Sequence, residues 1–156
     1  MVFFLAISCG SKTTNKNKMG KIEVITTNEI EVKADIVWQK LVAFGGTEKF
    51  VPNLIEKVTL KGSGAGAIRN IHLKGGGEII EKLTRVDNTN RHLEFTILST
   101  PMPISNYTGI FKVKEVTQNK CAVTFISKYQ TLAQNRDKMR TVIKEFQETF
   151  ISNLDK

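Results

Sequence analysis

Three stretches in succession, Ala67 to Leu73, Glu78 to Arg85 and His92 to Leu98, alternate apolar and polar residues with a period of two. Side chains on a strand point by turns to opposite faces, so a chain that repeats this pattern across short loops must pair the stretches as antiparallel strands with one face inside. On that parity Arg69, Ile71 and Leu73 share a face, as do Ile79, Glu81 and Leu83, and as do Leu93, Phe95 and Ile97. Arg69 and Glu81 therefore fall among apolar neighbours. Two readings are open for them: a buried cross-strand ion pair that needs no ligand, or polar groups offered to an internal cavity.

The connections differ in kind. Lys74-Gly75-Gly76-Gly77 has the permissive backbone of a tight, pliable hairpin, whereas Ser99 to Ser105 is stiffened by Pro101 and Pro103 and carries Met102 and Ile104. Apolar side chains on a loop tip imply something to cover. The two loops are expected to form one rim through which a ligand enters.

Before this stretch, Ile22–Ile25 through Glu29–Ala34 reads as a first strand, and Asp35 is placed to cap a helix from Ile36 to Phe44. Val37, Trp38, Leu41 and Phe44 share one face of that helix by the i, i+3, i+4 rule. A second short helix or turn follows around Glu48 to Leu54, broken by Pro52, and then a strand from Lys57 to Lys61. The glycine run Gly62 to Gly66 lacks a Gly-Lys-Ser/Thr sequence and joins strand to strand, so it reads as a hairpin loop and not as a phosphate cradle. After it, Tyr107 to Val116 and Lys120 to Tyr129 alternate cleanly. The chain closes with an amphipathic helix from Asn135 to Leu154, on which Met139, Val142, Ile143, Phe146, Phe150 and Leu154 form one stripe. Burying side chains of this size contributes roughly 1.5–3 kcal/mol each, so the helix must lie across a sheet.

Length permits a single domain with a sizeable core, held without metal or disulfide. The formal charge is +8, but Lys12, Lys16, Lys18 and Lys21 lie in a first segment without acids, which leaves +4 spread over residues 22–156. No basic helix or aromatic-plus-basic strand pattern occurs, so nucleic acid is not an expected partner. His72 has outward parity and His92 sits at a strand start, neither at metal-ligand spacing, so neither metal nor cofactor is expected.

Met1 to Ser11 is a short apolar run that reaches a cysteine and gives way to polar, lysine-rich sequence. Ala6-Ile7-Ser8-Cys9 resembles the lipobox of a bacterial lipoprotein leader, which implies acylation at Cys9, a flexible tether to Lys21 and a cell-envelope location; a frayed cytoplasmic N-terminus is the alternative. The domains expected are thus 1–21, leader and tether, and 22–156, the folded body. Cys121 is left unpaired and reads as a small buried strand residue.

The order strand, helical insert, successive antiparallel strands and long terminal helix is joined by several short motifs. These are Val37-Trp38, Gly64 to Arg69, Glu81-Lys82-Leu83 with Val86-Asp87 after it, Leu93-Glu94-Phe95 and Asn106-Tyr107. Together they resemble the START-like (SRPBCC, Bet v 1-like) superfamily, in particular its polyketide cyclase/dehydrase and lipid-transport members and, more distantly, the plant abscisic acid receptors. The resemblance implies an α+β helix-grip fold, a curved antiparallel sheet of about seven strands wrapped on a long C-terminal helix, with two short helices after the first strand. It also implies a cavity between sheet and helix, with Gly75, Gly76 and Gly77 as gate and Pro101, Met102 and Pro103 as latch. The gate reads Lys-Gly-Gly-Gly where the receptors have Ser-Gly-Leu-Pro-Ala, so hormone sensing is not implied.

Arg69, Ile71, Glu81, Phe95, Tyr107, Ser127, Tyr129 and Phe146 are the candidate ligand-binding residues, for a monomer that carries a small hydrophobic or amphipathic molecule. The alternatives are an enzyme of cyclase or dehydratase type, with Glu81 as acid or base and Tyr107 as hydrogen-bond donor, and an envelope interaction module that uses Met102 and Ile104.

Overall fold

The computed structural model describes residues 15–156; Cys9 and the leader around it lie outside the described residues. Strand β1 (Met19–Ile30) is followed by helices α1 (Ala34–Val42) and α2 (Thr47–Phe50). Then come β2 (Ile55–Lys61), β3 (Ile68–Leu73), β4 (Glu78–Asp87), β5 (His92–Ser99), β6 (Ser105–Thr117), β7 (Lys120–Leu132), one 3-10 turn and helix α3 (Arg136–Ser152). The strands make one seven-stranded antiparallel sheet in the order β1-β7-β6-β5-β4-β3-β2, and α3 lies against its concave face. This is the helix-grip architecture.

Register bears out the strand parity. Arg69 pairs with Glu81 and Leu83 with Phe95, and all four are buried. Irregularities at Ile55/Lys57, Ile80/Glu81, Leu83/Arg85, Ser105/Thr108 and Glu115/Thr117 interrupt the ladders. Each extra residue bends its strand and raises the local twist, and this curves the sheet around the helix.

Three local expectations are corrected. The first strand starts at Met19 and ends at Ile30, so the end of the expected tether is already paired, Met19 with Leu132 and Lys21 with Gln130. Asp35 does not cap α1: Lys33 holds the capping position without a side-chain bond, and Asp35 sits in the first turn, where it accepts hydrogen bonds from Arg91. On α3, Val142 is exposed and Phe146 half-buried, while Gln147 and Ile151 are fully buried, so the inward stripe is rotated toward Met139, Ile143, Gln147, Phe150 and Ile151.

That rotation follows from where the helix packs. α3 rests chiefly on β1, β7 and α2, at one side of the concave face. Under it Phe50, Phe95, Phe111, Phe125 and Phe150 form one aromatic cluster, with ring centroids 4.0 Å apart for Phe111 and Phe125 and 5.1 Å for Phe50 and Phe150. Gly109 of β6 makes room for Phe95: a Cβ on Gly109 would stand 2.2 Å from the ring. Cys121 is free and fully buried in β7. The other half of the concave face, over β2 to β5, is not filled in this way.

Candidate functional site

Over that half lies a cavity of about 370 Å³. Its floor is Ile55, Ile71, Leu73, Ile79 and Ile97, the inward side chains of β2 to β5, and its roof is Val142, Ile143 and Phe146 of α3. Val51 and Leu54, from the turn after α2, close one side, and Met102 from the β5–β6 connection closes another. The exposed members of the lining are Asn53, Leu54, Val142, Glu145 and Thr149, so the mouth opens between the turn after α2 and the outer flank of α3.

Two polar side chains enter the apolar interior, Glu81 from β4 and Tyr107 from β6. Glu81 is 6 % exposed and takes a hydrogen bond from Arg69 Nε at 2.5 Å on Oε2. Its other carboxylate oxygen receives no hydrogen bond from any described residue and is not sealed off. Arg69 itself does not line the cavity. Its Nη1 donates to the Phe44 carbonyl at 3.2 Å and to Thr47 Oγ1 at 3.0 Å, and its guanidinium lies 4.1 Å from the Phe44 ring centre. Phe44 holds a left-handed backbone, φ 57°, at the corner between α1 and α2. Arg69 therefore ties the sheet to that corner and holds Glu81 in place, through bonds to charged groups that are each worth roughly 1.5–3 kcal/mol.

Tyr107 is held from behind. Its hydroxyl is 2.8 Å from Ser127 Oγ, which accepts from Gln147 Nε2 at 2.9 Å. Gln147 Nε2 also donates to the Val24 carbonyl, and Gln147 Oε1 accepts from Thr26. This chain of side chains joins β1, β6, β7 and α3 through the core. Burial pushes the Tyr107 phenol above its ordinary range, the nearby Glu81 charge adds to the rise, and the Ser127 hydrogen bond opposes it. The phenol is thus a proton holder at any physiological pH.

Of the residues singled out from sequence, Ile71, Glu81, Tyr107, Phe146 and Met102 line the cavity. Arg69, Phe95, Ser127 and Tyr129 lie behind its wall: Phe95 in the aromatic cluster, Tyr129 stacked on Tyr107 with its hydroxyl unpartnered. Gly75, Gly76, Gly77, Pro101 and Pro103 do not line it; a Cβ on Gly77 would stand 3.6 Å from Pro101, so the two loops are neighbours. Sequence reasoning missed Gln147, although its place four residues from both Ile143 and Ile151 puts it on the buried stripe. It also missed Asn53, Leu54, Glu145 and Thr149, polar or isolated positions with no periodic signal. No group of side chains suited to a metal ion occurs among the described residues, and no helix there is long and apolar enough to cross a membrane.

A family model described as polyketide cyclase / dehydrase and lipid transport matches residues 21–156. Nothing among the curated proteins matches. Among solved structures, the Zhui aromatase/cyclase from a Streptomyces species superposes with a TM-score of 0.74 at 15% identity, covering 86% of this chain and 92% of that one. Norcoclaurine synthase from Thalictrum flavum, in complex with dopamine and hydroxybenzaldehyde, gives 0.70 at 17% identity over 97% and 94%. XoxI from Bacillus cereus gives 0.72 at 21% identity over 85% and 92%. At these identities the likeness is one of fold.

Proposed function

Because the chain belongs to the polyketide cyclase / dehydrase and lipid transport family of the START-like superfamily, we propose that it binds a small hydrophobic or amphipathic molecule in the cavity between α3 and strands β2 to β5. The observation that carries this reading is the cavity itself. Its volume of about 370 Å³ is that of a small-molecule site, and its walls are apolar apart from a few polar groups. Native mass spectrometry of protein extracted under mild conditions tests it, together with binding of the neutral dye phenylnaphthylamine. Stoichiometric ligand or dye is expected, and Val142→Trp, which places an indole at the mouth, abolishes it while leaving the fold intact. Equal binding by the variant and the parent would place the ligand elsewhere.

A second reading is supported by Glu81 and Tyr107 facing the same cavity and by the two enzymes that share the fold. In it Glu81 is acid or base and Tyr107 the donor to a developing oxyanion, for a cyclisation or dehydration of a polyketide-like compound. Turnover that disappears in Glu81→Gln supports it; bound ligand released unchanged by parent and variant alike supports the carrier.

Attachment to the envelope through an acylated Cys9 belongs to the same proposal, and its support is the apolar-run-then-cysteine order of the sequence. Cys9→Ser in the full chain is expected to move the protein from membrane to soluble fractions, and unchanged fractionation rules it out.

A further inference from the structure

The hydrogen-bond network behind Tyr107 has a direction, and the direction says what the ligand must offer. Gln147 cannot turn its amide over, because Nε2 faces the Val24 carbonyl, which can only accept. Its second Nε2 hydrogen therefore goes to Ser127 Oγ. Ser127 is fully buried, and the only acceptor paired with its hydroxyl among the described residues is Tyr107 Oη. A buried hydroxyl proton without an acceptor is costly, so Ser127 donates to Tyr107. The Tyr107 proton is then free to point away from Ser127, and Tyr107 is one of the residues that line the cavity.

Glu81 supplies the complementary group. One oxygen is bound to Arg69, and the other is an open acceptor on the same cavity wall. In the sheet register Glu81 pairs with Ile97, and continuing the β5–β6 register past Thr96 and Thr108 brings Ile97 beside Tyr107. Donor and acceptor thus stand two strands apart across one apolar residue, about 10 Å at the backbone by ordinary strand spacing. Among the described residues no lysine, arginine or histidine lines the cavity, and its charged members are Glu81 and Glu145. Arg69 is withdrawn behind the wall with its charge already matched by Glu81.

We infer that the cavity selects a ligand without an anionic head that bears a carbonyl, which takes the Tyr107 proton, and a hydroxyl or N–H group, which donates to Glu81, and that it rejects free carboxylates. A fatty-acid or phosphate head would meet two carboxylates and no cation there, and it would leave the Glu81 acceptor unpaired. The inference rests on the cavity being the ligand site, as proposed above.

The test is displacement of phenylnaphthylamine from the whole protein by three compounds of one chain length: decanoic acid ethanolamide, decanoate and decane. The ethanolamide, with carbonyl and hydroxyl, is expected to displace the dye at concentrations roughly tenfold or more below the others, the ratio that one or two net hydrogen bonds supply. Tyr107→Phe brings the ethanolamide back toward decane, and Glu81→Gln narrows the gap to decanoate by removing a carboxylate and leaving the Arg69 charge unmatched. Decanoate displacing as well as the ethanolamide in the parent protein overturns the inference and leaves the cavity as a ligand site. Failure of the parent to bind the dye or any of the three compounds overturns the binding function itself.

Discussion

Tyr107 and Gly109, two residues apart on β6, show opposite uses of an inward position. The Tyr107 phenol is pushed up by burial, so the folded chain keeps its proton where the unfolded chain loses it, and stability falls as pH rises above about 10, the ordinary phenol value. Below that pH both states hold the proton and the group adds no pH dependence. Tyr107→Phe is expected to flatten the alkaline limb of a denaturation-versus-pH profile; Tyr129, also raised by burial, keeps part of the slope. Gly109 matters by having no side chain, since a Cβ would overlap the Phe95 ring inside the aromatic cluster. Gly109→Ala is expected to lower stability by about 1–3 kcal/mol, as overpacking does, measured by urea titration. Parity alone placed Arg69 and Glu81 inside, yet it left open whether they formed a pair or faced a ligand. They form the pair, which consumes Arg69, and Glu81 also lines the cavity.

At the scale of elements, α3 serves two purposes along one face. Phe150 sits 5.1 Å from Phe50 and 5.2 Å from Phe111, within the solid half of the core, whereas Phe146 is half-buried and turns toward the cavity. Phe150→Ala is expected to cost about 3–5 kcal/mol, the range for a large core aromatic. Phe146→Ala is expected to cost less and to enlarge the ligand space, which chemical denaturation and dye binding on the same pair of variants separate. The apolar period marked the helix and its packing face. It did not mark Gln147, because a polar side chain at a buried position reads as a break in the stripe until its partners Thr26, Ser127 and Val24 are known to stand opposite.

For the molecule as a whole, packing is uneven by design of the chain path: the helix covers the β1–β7 side, and the β2–β5 side is left over a void. A ligand that fills the void and binds only the folded state stabilises it by mass action, about 2.7 kcal/mol at a hundredfold excess over Kd. Decanoic acid ethanolamide at that excess is expected to raise the thermal midpoint, an effect absent in Val142→Trp. Hydrogen exchange should slow at residues 51–55 and in α3, which flank the mouth, more than at Gly75 to Gly77, which do not touch the cavity.

Sequence by itself determined the strands, the terminal helix and the inward parity of Glu81, because these follow from periodicities of two and 3.6 that a chain carries locally, while the helix-grip arrangement was implied by the family resemblance those elements carry. Tertiary structure alone decided the rest. The direction in which α3 lies across the sheet set which of its apolar residues are core and which are roof. The meeting of Arg69 with the α1–α2 corner removed a cation from the cavity, and the chain path set the turn after α2 and the flank of α3 at its mouth. Each of these depends on residues far apart in the chain arriving at one place, and no local pattern records such an arrival.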